Sequence, residues 1–175
     1  MPERRSAVSA GLLLYRRTPA GIELLLAHPG GPFWARRDDG AWTIPKGVPD
    51  ADEDLLDAAR REFTEETGAS PAGPFLPLGS VRQKAGKLVH AWAAEGDLDP
   101  AAVVSNTMKT EWPPRSGRWV TFPEVDRCDW FDLESARRKL NPAQAEFVDR
   151  LLSVLEILHA QGWEHADPSR QDDKA

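Results

Sequence analysis

The stretch from Gly47 to Ala69 reads GVPDADEDLLDAARREFTEETGA, and the rest of the chain is arranged around it. Between Asp54 and Thr67 there is no Gly or Pro, Ala and Leu are frequent, and Gly68 follows as a C-terminal stop; this predicts a helix. At about 100° per residue, Leu55, Leu56, Ala59 and Phe63 make one apolar stripe, while Asp57, Arg60, Arg61 and Thr64 fall on the opposite side and are expected to face water. Glu62, Glu65 and Glu66, related by i,i+3 and i,i+4 spacing, share an arc at the edge of that stripe. Three carboxylates therefore converge beside the core.

Like charges at i,i+4, as in Glu62 and Glu66, cost roughly 0.2–0.5 kcal/mol on an isolated helix, so something positive should offset them. Arg61 lies four residues from both Asp57 and Glu65, but neither Glu62 nor Glu66 has a basic i±4 partner. A solvated acidic face is the alternative reading. Oxygen-only ligands on a rigid helix suit a hard cation, Mg²⁺ or Mn²⁺, which keeps several waters and bridges carboxylates to phosphates.

The spacing G-x5-E-x7-R-E-U-x-E-E-x-G-U, where U is apolar, resembles the signature box of the Nudix hydrolases. The resemblance implies an α/β fold with a mixed sheet between helices, and divalent-metal hydrolysis of the pyrophosphate linkage in nucleoside diphosphate derivatives. It implies metal ligands at Glu62, Glu65 and Glu66, the carbonyl of Gly47, and Glu53 in a supporting, water-mediated role. It also implies Arg61 as an orienting ion-pair partner, and a general base supplied by the box or a distant loop. Glu65, Glu66 and Glu111 are the candidates, Glu111 because it precedes the stiff Pro113-Pro114 pair. Lys46, next to the box glycine, is the candidate phosphate contact, and Trp34 and Trp42 are the candidates for stacking on a base. WTIPKG looks like the same stretch in the branch that cleaves diadenosine polyphosphates. That branch often has a histidine where Val48 stands and a tyrosine downstream, whereas Tyr15 is the only tyrosine here. The other readings are a Nudix-like nucleotide-binding or regulatory module without catalysis, and an α/β interaction domain with an acidic helix.

With 175 residues and 41% hydrophobic content, the chain can bury one core, and a single domain over residues 1–166 is expected, with a polar, disordered tail at 167–175. The net charge of −6 disfavours non-specific nucleic-acid binding, which leaves a small nucleotide as the expected partner. The single cysteine, Cys128, excludes a disulfide framework and a multi-cysteine zinc module, and fits the cytoplasm. No stretch approaches the roughly 18 apolar residues of a membrane span. His28 and His90 are expected to pack or hydrogen-bond, since an oxygen-rich site needs no imidazole.

Ser6–Arg16 and Ile22–Ala27 read as paired strands around a Thr18–Gly21 turn. HPGGPFWARRDDG is a long loop with unusual aromatic and basic cargo, and Trp42–Ile44 a short strand ended by Pro45. Leu76–Lys84 and Lys87–Ala94 form a hairpin near Ala85-Gly86. Val103–Met108 and Trp119–Phe122 are strand candidates, Leu133–Leu140 a short helix, and Asn141-Pro142 the start of a helix running to about Ala160.

Overall fold

The computed structural model describes residues 7–162. β1 (Val8–Thr18) and β2 (Gly21–Pro29) form the expected antiparallel hairpin. β1 is the trunk of the sheet. Its other edge runs parallel to β5 (Leu88–Glu95), which pairs with β4 (Leu76–Arg82), while β3 (Lys46–Gly47) pairs with Ala10 and Gly11. With β8 (Val125–Asp132) beside β2, the order is β4-β5-β1-β2-β8, a mixed sheet.

Both faces are covered, which is why β1 reads as an unbroken apolar run rather than an alternation. Ala10, Leu12, Leu14, Leu25 and Ala27 pack against Ala58, Ala59 and Phe63 of α1 (Leu55–Thr67). Leu13, Tyr15, Leu24 and Leu26 pack on the other side against Ala136 of α2 (Leu133–Lys139) and Phe147 and Leu151 of α3 (Glu146–Ala160). Phe63 is fully buried. Phe63→Ala is expected to destabilise by about 3–5 kcal/mol, seen as a lower urea midpoint at unchanged slope.

α1 starts and stops where its sequence says. The Asp54 carboxylate accepts from the amides of Leu56 and Asp57, and Gly68 ends the helix at φ 80°.

Three boundaries differ from expectation. The last helix begins at Glu146, not Pro142, because the preceding turn is spent on docking Gln144. That fully buried amide accepts from the Ile44 N–H (2.9 Å) and donates to Gln83 (2.9 Å). Asn141 instead accepts from the Ala143 amide (3.1 Å) within the turn. Residues 103–106 are not strand, since the amides of Val104 and Asn106 donate to the carbonyls of Thr67 and Glu65 at the end of α1. The strand there is β6 (Thr107–Glu111), paired with β7 (Trp119–Pro123) in a separate hairpin. Trp42–Ile44 makes only bridges, Thr43 to Ala27 and Trp42 to Leu140, before Pro45.

The predicted tail at 167–175 lies outside the described residues. Among the described residues no helix is long and apolar enough to cross a membrane.

Candidate metal and substrate site

β3 lies directly on α1, and the fit depends on Gly47. A Cβ built there would sit 2.0 Å from Cδ of Glu62, so any side chain would evict the carboxylate. The neighbouring Lys46 amide donates to Oε2 of Glu66 (3.1 Å). Glu62 and Glu66 are both buried, unusual for carboxylates without a full complement of cations.

A third carboxylate joins them from a distant part of the chain. Glu124 lies between β7 and β8, where its amide donates to the Asn106 carbonyl (2.9 Å) and its own carbonyl accepts from the Gly30 amide (2.9 Å). One oxygen each of Glu62, Glu66 and Glu124 lie within 4.8 Å of one another.

Burial pushes the Glu66 carboxyl up to about 8, with the charges of Glu62 and Glu124 adding to it and Lys46 opposing. Burial raises Glu62 and Glu124 as well. Burial lowers Lys46, helped by the nearby charge of Lys87. Three crowded oxygen donors that resist ionising together form the donor set of a hard divalent cation.

Arg61 ties the other acids of the box down. Its Nε and Nη2 donate to the two oxygens of Glu53 (2.9 and 2.8 Å), and its Nη1 to Glu62 (2.9 Å) and Glu65 (3.2 Å). This side chain, expected on the water-facing side of α1, is drawn in to bind three carboxylates at once. The Arg61 guanidinium and the Asp50 amide hold the Glu53 carboxyl down to about 2.

Two of the expected metal ligands are engaged by Arg61: both oxygens of Glu53 accept from it and Glu65 turns to the same guanidinium, so the three-carboxylate group comprises Glu62, Glu66 and Glu124.

Gly47→Ala is expected to lower divalent-metal affinity by about 10–100-fold without unfolding the domain, measured by calorimetric titration with Mn²⁺.

Beside Glu124, the 30–34 loop and the β6–β7 hairpin enclose a cleft of about 450 Å³ walled by Phe33, Trp34, Trp112 and Phe122. The walls close because Gly30 and Gly31 lie against Pro123 and Phe122, with no room for a Cβ at either position. Arg37 stacks over Phe33 (4.2 Å), fixing the loop's aromatic pair.

Of the two stacking candidates, Trp34 lines the cleft and Trp42 lies outside its lining. Trp42 is 3% exposed, its indole N–H donates to Asp38 (2.8 Å), and its ring packs edge-on to His28 and Phe131. It supports the loop rather than offering a face.

Glu111 lines the same cleft as Met108, Thr110 and Phe122, at the far end of β6, where its carboxylate accepts from the Gly117 amide (2.6 Å) and closes the turn. From Thr107, beside the carboxylates, to Glu111 is four steps of strand, roughly 14 Å.

His28 is fully buried between the Asp126 carboxylate (2.8 Å) and the Arg37 carbonyl (2.6 Å), a packing role. Cys128 is buried, and burial pushes its thiol up to about 12.

The NUDIX domain family matches residues 5–151, which contain the box, the sheet and both walls of the cleft. The chain belongs to the Nudix family.

This Nudix domain is 29% identical over 119 residues to the RNA pyrophosphohydrolase of Caulobacter vibrioides, a match covering 65% of the chain and 62% of that relative's length. In fold it is similar to the Caenorhabditis elegans Ap4A hydrolase binary complex (TM-score 0.61, 23% identity, 85% of this chain and 98% of that one). It is also similar to the NUDIX domain of Shewanella oneidensis NrtR complexed with ADP ribose (TM-score 0.60, 16% identity, 89% and 93%). The mixed sheet between helices that the box implied is the arrangement observed.

Proposed function

We propose that this Nudix domain is a cytoplasmic, divalent-metal-dependent hydrolase, with Mg²⁺ or Mn²⁺ as the ion, that cleaves the pyrophosphate linkage of nucleoside diphosphate derivatives. The observation that carries this reading is the convergence of buried Glu62, Glu66 and Glu124 against the Gly47 backbone.

A divalent ion held by these three would supply Lewis-acid neutralisation of phosphate oxygens and a nucleophilic water at neutral pH. The protein's own part is positional. Arg61 fixes Glu62 while holding Glu53 and Glu65, and the Lys46 amide fixes Glu66. The Lys46 ammonium, beside the cluster, contacts a phosphate oxygen of the substrate. Trp34 and Trp112 stack on the base, in a cleft walled mainly by aromatic rings with Thr110 and Glu111 as its polar side chains, so the base is gripped chiefly by area. Ap4A and ADP-ribose, named with two structural relatives, and a 5′-pyrophosphorylated RNA, the substrate type that the name RNA pyrophosphohydrolase suggests, carry the anhydride and base that this layout accepts.

A panel of these compounds with Mg²⁺ and with Mn²⁺ tests the reading, scored by phosphate-containing product. Trp34→Ala is expected to raise KM by about 5–150-fold with little change in kcat, as loss of one stacking partner worth about 1–3 kcal/mol would. Nucleotide binding without product from any compound would replace the hydrolase with a nucleotide-sensing module.

A further inference from the structure

The loop that walls the aromatic cleft is tied to the sheet at both of its ends. At the near end the Gly30 amide donates to the Glu124 carbonyl (2.9 Å). At the far end the Arg37 carbonyl meets Nε2 of His28 (2.6 Å), and because a carbonyl can only accept, Nε2 is the donor. Nδ1 of the same ring lies 2.8 Å from the Asp126 carboxylate. His28 is fully buried beside Trp42, where an apolar ring would fill the space equally well but tie down neither segment.

The reach of this histidine depends on a break in the ladder. His28 pairs with Arg127 and Pro29 with Val125, so Asp126 is the extra residue of a β-bulge. Bulges re-aim a side chain where pairing ends. Here the Asp126 carboxylate is brought to His28 at the point where β2 gives way to the loop, one residue from Val125 and two from Glu124.

Between its two anchors the loop moves as one piece. The Trp34 amide donates to the Gly31 carbonyl (3.2 Å) and the Arg37 amide to the Trp34 carbonyl (2.9 Å). The Arg37 guanidinium lies over the Phe33 ring (4.2 Å) and 5.8 Å from the centre of the Trp34 ring. Phe33 is 48% exposed, so this piece stands largely in solvent and its orientation is set where it meets the sheet. An aromatic face already held in place binds a flat ring without first losing its own freedom.

We propose that His28 is a positioning residue for the base of the substrate. It touches no substrate itself; through the Arg37 carbonyl it holds Phe33 and Trp34 in a fixed relation to Glu124 and the other buried acids. The inference rests on the proposed function for what the cleft receives.

Two substitutions separate the two ring nitrogens. The amide nitrogen of asparagine reaches the place of Nδ1 and that of glutamine the place of Nε2. His28→Asn therefore keeps the bond to Asp126 and gives up Arg37, whereas His28→Gln keeps Arg37 and gives up Asp126. Both lose the ring against Trp42, so that loss cancels between them. In His28→Asn the KM of the nucleotide compounds is expected to rise by about 3- to 10-fold, as loss of one hydrogen bond gives. Its kcat should be unchanged, as should the inhibition constant of inorganic pyrophosphate, which has no base. His28→Gln should keep the wild-type KM. In hydrogen exchange without metal or nucleotide, the Arg37 amide should be replaced about 3- to 10-fold faster in His28→Asn than in His28→Gln.

An equal KM in the two variants overturns the proposal whatever the exchange shows. A KM difference without an exchange difference overturns it too, since the loop would not be what His28 holds. A fall in kcat or weaker inhibition by pyrophosphate in His28→Asn would place the effect at the acids and has the same consequence. Absence of wild-type turnover on every compound defeats the hydrolase reading instead, and the exchange comparison then decides the role of His28.

Discussion

Glu66→Gln is expected to lower kcat by on the order of 10²–10³-fold, about 2.7–4 kcal/mol, while leaving the fold intact. Glutamine keeps an oxygen for the Lys46 amide, so β3 stays seated on α1, but it removes the charge that the cluster contributes to a cation. The metal-free variant should also melt no lower than wild type at pH 8, because it no longer buries an ionisable group against Glu62 and Glu124. Higher apo stability with lost turnover is the signature of a site whose acids are strained by one another. Glu124→Gln should reproduce both effects, and Glu53→Gln should not reproduce the first to the same degree, since Glu53 acts through Arg61. Wild-type turnover in Glu66→Gln, assayed with Mg²⁺ in excess, would remove the cluster from the chemistry.

The second large effect is a dependence of metal-free stability on pH that runs opposite to the usual carboxylate case. Glu66 keeps its proton up to about 8 in the folded protein and loses it near 4.5 in the unfolded chain. Across that window the folded state binds more protons, so its stability is fully present below about 4.5 and falls as pH rises, by about 1.4 kcal/mol per pH unit at most. Glu62 and Glu124, raised in the same direction, add to the slope. Lys46, lowered by burial, works the other way: stability rises with pH between its folded value and 10.5.

Divalent metal competes with these protons. The Mg²⁺-induced rise in melting temperature should therefore be small at pH 5 and grow toward pH 8. Differential scanning fluorimetry at fixed ionic strength measures it. A metal-induced shift that is flat across this range would mean that the ion binds elsewhere.

The parts of the site that the chain specifies locally were legible in it. Asp54, Gly68 and the stripe through Phe63 define α1 within a few turns, and Glu62 and Glu66 share an arc whatever the rest of the molecule does. Arg61 was legible as an ion-pair partner, but which acids the guanidinium would engage was not, because that depends on how the 47–53 loop folds back over the helix. Glu124 left no local mark. It precedes Val125 in a segment without periodicity, and reaches the cluster only because Asn106 and Gly30, far away in sequence, hold its backbone. Glu111 was attractive for its stiff neighbours, and what the chain did not reveal is that its carboxylate closes the hairpin turn on the Gly117 amide at the far end of β6. Trp42, next to a long loop, was a candidate for stacking, and the docking of its segment on Leu140 buries it. Each of these side chains has an environment assembled by long-range pairing, which periodicity does not encode.

β1 is paired on both edges along much of its length, to β5 on one side and to β3 and β2 on the other, whereas the β6–β7 hairpin pairs only with itself. In amide hydrogen exchange, the protons of Leu12 to Leu14 should be replaced only through global opening, and those of the hairpin through small local fluctuations. The buried acids of α1 thus rest on a strand paired on both edges, while the aromatic cleft is walled in part by a hairpin paired only with itself. Under the proposed function, chemistry and selectivity would be anchored with unequal firmness, and substitutions that retune preference in the hairpin are expected to leave the acid cluster thermodynamically undisturbed.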